Sequence, residues 1–301
     1  MNGEEYLLSE SEYKRCKEEI LFELLLEGER ATFPEVTFVV GQPGAGKTGL
    51  SIWSKREVEE NSRKCVELNA DKIATYHKHY NKLLDLLPED RLKISREFVN
   101  PCYKELQDIM IEKRFNMVME CTLNSSKKIA MMEQLKNLGY KVNINVLAVD
   151  YFESFLSCFE REAEMLKLDI KPRGIDKKNH DDCYYNMLET INKIQEKGCF
   201  DKISVFKRGQ DVFEPIKIGE IIQNKEDTVH LIEDERNMQR QQLLGQGHQY
   251  IERIRNTKKI FQMLGKAPIL TKRALEDIEG LEKLFENEVE KNERNEDSFI
   301  I

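Results

Sequence analysis

No run of apolar residues in the 301-residue chain approaches the length of a membrane span, which excludes a transmembrane helix as its organising element. The opening residues, MNGEEYLLSE, lack the basic-then-apolar design of a secretory signal, so a cytoplasmic protein with no membrane partner is expected. Cysteines stand at 16, 65, 102, 121, 158, 183 and 199, an odd number with no C-x-x-C pair. That speaks against zinc ribbons and a disulfide framework and fits reduced thiols. Positive charge is also short: Lys and Arg number 47 against 55 Asp and Glu, a net charge of −8. A broad nucleic-acid-binding face is therefore not expected. His77, His79 and His180 show no ligand spacing with cysteine or carboxylate. No internal repeat or low-complexity tract stands out. The hydrophobic share is 40% and the charged share 34%, a balance that points to much helix surface and a modest core.

What is present is organised around GQPGAGKT, residues 41–48. It fits the phosphate-loop pattern G-x-x-x-x-G-K-[ST] through Gly41, Gly46, Lys47 and Thr48. EVTFVV (35–40) before it reads as a strand, and GLSIWSKREVEE after it can run as a helix. Glycines let backbone N–H groups face phosphate oxygens, and the positive end of the helix dipole points the same way. Lys47 adds a charge at the β- and γ-phosphates, and the Thr48 hydroxyl is a Mg²⁺ ligand. The loop residues Gly41, Gln42, Pro43, Gly44, Ala45, Gly46, Lys47, Thr48 and Gly49 are therefore the expected binding set for ATP, with Mg²⁺ at Thr48. Trp53, on the helix that follows, reads as packing rather than a base-stacking platform.

Strand and helix patterns alternate through the chain. A helix over 4–28 ends at Gly28. Strands follow at 35–40, 65–71, 115–120, 141–150 and 201–209. Between them fall helical stretches at 72–87, about 103–113, 125–138, 151–168 and 182–198. A charged segment is read at 88–101 and a mobile basic loop at 171–182. Such alternation predicts an α/β fold of the P-loop kinase kind, with a parallel sheet of about five strands and helices on both faces. From about 226 the strand signals fade. The division expected is a kinase domain over 1–225 and a helical C-terminal extension over 226–301, with Pro268 interrupting its pattern and a last helix near 271–291.

Ligands in such sheets lie beyond the carboxyl ends of the strands. Gly41, Asp71 and Glu120 fall at such ends, so one shared site is expected. Asp71 can take a proton from an acceptor hydroxyl or reach the metal; equally, an Asp there can cap the helix that follows. Glu120, with Thr122 two residues on, is a carboxylate leaving a buried strand at the ligand edge; the alternative is a loop carboxylate capping an amide. Arg161 and Arg173 flank the basic loop and can close over phosphates, or can be ordinary solvated charges. Lys127–Lys128 and Lys177–Lys178 read as solvated faces.

Taken together these residues are similar to the zeta-toxin group of P-loop small-molecule kinases, the toxin half of epsilon/zeta-type toxin–antitoxin pairs. The likeness covers most of 5–210 and is carried by TFPEVTFVVGQPGAGKTGL, by Asn69-Ala70-Asp71 with His77 following, by Glu120-Cys121-Thr122, and by EREAEML and KPRG with Arg161 and Arg173. The resemblance implies ATP-dependent phosphorylation of the 3′-hydroxyl of the sugar in UDP-N-acetylglucosamine, and a small helical antitoxin as partner. It implies catalytic roles for Lys47, Asp71, Arg161 and Arg173. It implies acceptor contacts from Glu120, Thr122, His77 and the position of Asn124. The chain departs from the pattern at Asn69 (usually acidic), Cys121 (usually glycine), Lys78 (usually proline) and Asn124, where the family often has an arginine. Asn cannot make a charge-assisted bidentate contact with a diphosphate, which leaves the acceptor open among UDP-N-acetylglucosamine, a related nucleotide-sugar, an antibiotic hydroxyl and a polynucleotide end. A nucleotide-dependent binding switch is the reading of another class.

Overall fold

The computed structural model describes residues 3–60, 63–123, 126–211, 213–222 and 227–298. The chain opens with α1 (Glu10–Glu27), started by a capping box in which the Ser9 hydroxyl accepts from the Glu12 amide and the Glu12 carboxylate accepts from the Ser9 amide. Then come β1 (Glu35–Val40), α2 (Lys47–Glu59), β2 (Cys65–Leu68), α3 (Ala70–Thr75), α4 (Tyr80–Leu83) and α5 (Pro88–Glu112). β3 (Asn116–Cys121), α6 (Lys127–Asn137), β4 (Lys141–Leu147), α7 (Tyr151–Lys167), α8 (Lys177–Lys197) and β5 (Lys202–Lys207) continue the alternation. β6 (Ile216–Ile221), α9 (Thr228–Gly245), α10 (Gly247–Leu264) and α11 (Pro268–Ser298) close it.

The strands form one sheet in the order β2-β3-β1-β4-β5-β6. The first five are parallel, and β6 runs antiparallel to β5. β1 is central and buried on both faces along its whole length, as a strand covered by helices on each side must be. Val36, Phe38 and Val40 face the cluster built with α1, α5, α6 and α8, whereas Val39 faces Leu50 and Val58 of α2. Register sets the site. Val40 lies opposite Cys121, Val39 opposite Glu120, and Leu68 opposite Met119. The loops after β1, β2 and β3 therefore open side by side.

Four expectations need correction. The sheet has a sixth strand at 216–221, a largely exposed edge that runs antiparallel to β5. The segment 88–101 is not separate from the helix after it. α5 runs unbroken through Pro101, because the apolar stripe Phe98, Val99, Cys102, Leu106 and Met110 continues across it and outweighs one lost backbone bond. The stretch 72–87 is two short helices rather than one. The basic loop is shorter than read: Asp176 accepts from the Asn179 amide at 3.2 Å and starts α8 at Lys177. In the C-terminal region, α10 and α11 pack on α7 through Tyr151, Phe155, Phe159, Tyr250, Phe261 and Phe285.

Candidate active site

The phosphate loop bends where only glycine bends easily. Gly44 has φ +75° and Gly46 φ +100°, in the left-handed region. A Cβ on Gly44 would come within 1.9 Å of the Ser154 carbonyl. α2 starts directly after Gly46 with no side-chain cap on its first turn, so its orphan amides are free for an anion. Lys47 Nζ donates to the Gln42 carbonyl at 3.1 Å and lies 3.6 Å from the Glu120 carboxylate. Thr48 is exposed at the loop mouth and Gly49 is buried behind it.

The loop is gripped from behind. Gln42 is fully buried. Its Nε2 donates to the Val149 carbonyl at 2.9 Å and to Ser154 Oγ at 3.1 Å, and its Oε1 accepts from Arg236 of α9 at 3.4 Å. Gln42 thus shapes the loop with its side chain and leaves only its backbone to a ligand. Arg208, just past β5, donates from Nε to the Ala45 carbonyl at 3.1 Å and from its terminal nitrogens to the Gly44 carbonyl, to Glu153 at 3.0 Å and to Ser157 at 2.9 Å. Sequence reasoning passed over Arg208. Its place at the carboxyl end of a parallel strand was the available signal.

The ground facing the loop assembles from three elements. Asn69, rather than Asp71, caps α3: its Oδ1 accepts from the Asp71 amide at 2.8 Å and the Lys72 amide at 3.3 Å. Its Nδ2 donates to Glu120 at 2.9 Å. The Asp71 carboxylate is thereby released from capping and meets Arg173 at 2.6 Å. Partial burial raises the Asp71 carboxyl, but the charge and hydrogen bond of Arg173, then the charges of Lys47 and Arg161, outweigh it and hold it below the usual range. Arg173 responds in the opposite sense, its guanidinium held more firmly protonated by Asp71 against the pull of burial. Arg161 is exposed on α7 within electrostatic reach of Asp71. Thr122 lies against the Cys183 thiol of α8. Asn124 is outside the described residues. Nearby on α6, Lys128 sits 5.0 Å over the Tyr103 ring.

The structure gathers Lys47, Glu120, Asp71, Arg173 and Arg161 and leaves His77 apart. His77 is 3% exposed, edge-on to Phe98 at 5.4 Å, with Nδ1 accepting from the His79 amide at 3.1 Å. Burial first, then the neighbouring His79, push its ring down to about 4. Two buried groups on the site's inner side were unforeseen. Arg91 of α5 is 8% exposed, with one terminal nitrogen unpartnered among the described residues, and feels the charges of Arg173, Glu162 and Asp71. Glu162 of α7 is 2% exposed, and burial drives its carboxyl up to about 7 despite Arg161, Arg173 and Arg91. Neither shows in a linear pattern, because α5 and α7 meet only in the fold. Residues 224–227 spell N-K-x-D, the wording of guanine-reading loops. Its Asp227 is committed to capping α9, accepting from the Val229 amide at 3.0 Å, and 224–226 lie outside the described residues.

A central parallel strand, a glycine loop on a helix N-terminus and a carboxylate across the same edge define the P-loop kinase fold class. A family model described as Zeta toxin matches residues 25–236, and the chain belongs to that family. It is 26% identical over 204 residues to Toxin PezT of Streptococcus pneumoniae serotype 4, spanning 66% of this chain and 79% of that protein. To Toxin zeta of Enterococcus hirae it is 26% identical over 189 residues, spanning 62% of this chain and 65% of the relative, just under two thirds of its length. Among solved structures it resembles one of the PezAT chromosomal toxin–antitoxin system of S. pneumoniae, with TM-score 0.63, 21% identity, 76% of this chain and 88% of that one covered. It also resembles the AvrRxo1-ORF1:ORF2 complex with ATP, with TM-score 0.51, 12% identity and coverages of 75% and 72%. At these identities the structural likenesses speak to the fold.

Proposed function

We propose that the protein is an ATP-dependent kinase that phosphorylates a hydroxyl of UDP-N-acetylglucosamine or a related nucleotide-sugar, acting as the toxin of a toxin–antitoxin pair with a small helical antitoxin. Membership of the zeta toxin family supports the pairing, as does the likeness to a solved toxin–antitoxin system. The observation that carries the chemistry is Asp71: uncapped, ionised, and held by Arg173 across the mouth of the phosphate loop. In this reading Lys47 and the first amides of α2 take the β- and γ-phosphates. A Mg²⁺ ion fits the donor set, since Mg²⁺ is commonly held by one or two protein oxygens together with phosphates and water, and the exposed Thr48 hydroxyl stands beside the loop. Bound there, the ion would neutralise charge on the bridging phosphate oxygens.

Phosphoryl transfer asks mainly for positioning and positive charge. Arg173 is paired with Asp71 before ligands arrive. Incoming phosphates draw that guanidinium toward themselves, and Asp71 loses the charge that depresses it. Its affinity for a proton then rises as the acceptor hydroxyl is presented. Arg161 adds charge from α7. Glu120 and Thr122 face the acceptor, and Asn69 fixes Glu120. His77 supports the α3–α4 turn from inside. The kinase unit is 1–225, with 226–301 as its helical extension.

The test is mass spectrometry of separate UDP-sugars incubated with the protein, ATP and Mg²⁺. UDP-N-acetylglucosamine is expected to gain a phosphate. Asp71→Asn is expected to lose transfer by about 10²–10⁴-fold while nucleotide binding persists. An unmodified UDP-N-acetylglucosamine pool beside another compound that gains the phosphate would move the assignment to that compound.

A further inference from the structure

A cavity opens away from the phosphate loop. A volume of about 230 Å³ lies on the other side of α7, between the loop that carries Arg173 and the start of α11. Phe159, Leu166, Phe261, Leu270 and Ala274 give it apolar walls, and Glu162 enters it from α7. By comparison with a 150 Å³ apolar cavity that holds benzene, this space suits about ten non-hydrogen atoms.

Its charges are unevenly matched. Lys171 is paired with Asp85, Lys266 with Asp169 and Arg273 with Glu89, so each lining cation already has an acid. Two lining carboxylates have no ion pair among the described residues, Glu162 and Asp277. Glu162 is 2% exposed and its Oε1 has no hydrogen-bond partner among the described residues. Arg91, Arg161 and Arg173 exert their charge on Glu162 without pairing with it. A buried acceptor left open is unfavourable, and an apolar space around it rewards a ligand that brings both a donor and a hydrocarbon body. We propose that this cavity is a binding site for a small amphiphilic cation, a primary ammonium on an aryl or alkyl body, whose charged head pairs with Glu162 while its body fills the space between Phe159, Phe261 and Ala274. The site is separate from the proposed acceptor site. It nevertheless touches the same loop, since the Gly174 amide faces Glu162 and Arg173 is the preceding residue.

The probe is phenethylammonium, set against its neutral isostere 2-phenylethanol, titrated into the full chain by calorimetry without ATP or nucleotide-sugar. Binding is thus read independently of any kinase activity. Phenethylammonium is expected to bind with a dissociation constant below about 1 mM and the alcohol at least tenfold more weakly. Glu162→Gln is expected to weaken the cation at least tenfold, and Ala274→Trp, which fills the cavity, to abolish it. The alcohol comparison uses the unaltered chain and stands even if a variant fails to fold. No binding of the cation, equal binding of the alcohol, or unchanged binding to a folded Glu162→Gln chain would each overturn the proposal.

Discussion

The phosphate loop and the ground around Asp71 share one sheet edge, yet they are held by different means. The loop is fixed by hydrogen bonds, part-buried ones from Arg208 to the Gly44 and Ala45 carbonyls and buried ones from the Gln42 side chain to the Val149 carbonyl and the Ser154 hydroxyl. The acceptor side is held by charge: Asp71 against Arg173, Glu120 against Lys47. The Asp71 side chain is 60% exposed, so its pair is weak and exchangeable. In the proposed kinase reading, a rigid donor cradle facing a charge-tuned acceptor pocket suits phosphoryl transfer, in which the donor stays still while arginines follow the developing charge.

If that contrast is right, damage on the two sides should read differently. The largest effect is expected for Arg173→Ala. Transfer should fall about 10³-fold, about 4 kcal/mol of barrier, while ATP binds within a few-fold of the unaltered chain; single-turnover kinetics beside ATP titration would separate the two. Equal losses in both would erase the distinction. Next comes Glu162→Gln, behind the acceptor side. A carboxyl raised from 4.5 to about 7 in the folded chain keeps a proton that the unfolded chain has already released. Stability therefore falls as pH rises through that window and stays low above it. The Gln variant should gain on the unaltered chain by about 3 kcal/mol between pH 4 and pH 8, measured by urea unfolding at each pH. Arg208→Ala tests the other side. It should weaken ATP by tenfold to a hundredfold, about 2 kcal/mol, while the transfer rate of the saturated enzyme changes little.

The same contrast explains what could be read from the chain alone. The donor half is local: eight consecutive residues, a β-branched strand before and a helix after, so Gly41–Thr48 and the parallel α/β fold were legible. Glu120 and Asp71 were reachable because strand ends in such sheets converge, and Arg161 and Arg173 because they flank the basic segment between α7 and α8. What stayed hidden depends on distant pairing. Asn69 looked like a lost acid, yet it caps α3 and orients Glu120 with one amide group. Arg91 sat in a stretch read only as a charged segment, and its burial depends on the fold. Arg208 has no motif, and β6 is a short edge strand interrupted by Gly219. The tail after 226 read only as helical, although its α9 reaches the phosphate loop through Arg236 and Gln42.

That last connection leads to the smallest expected effect. Arg253 of α10 makes four hydrogen bonds to Glu153 and Glu160 of α7, each 2.9–3.0 Å, and Glu153 in turn accepts from Arg208. The C-terminal helices thus stand two side chains away from the Gly44 and Ala45 carbonyls. Removing Arg253 leaves Glu153 with Arg208 still beside it, so no charge is stranded. The Arg253 side chain is 39% exposed, which screens the pair. Arg253→Ala should therefore cost about 1 kcal/mol of stability and shift ATP affinity less than Arg208→Ala does, both read by thermal unfolding with and without ATP. A loss of ATP binding as large as that of Arg208→Ala would mean that the helical tail, and not the sheet edge alone, holds the donor cradle in shape.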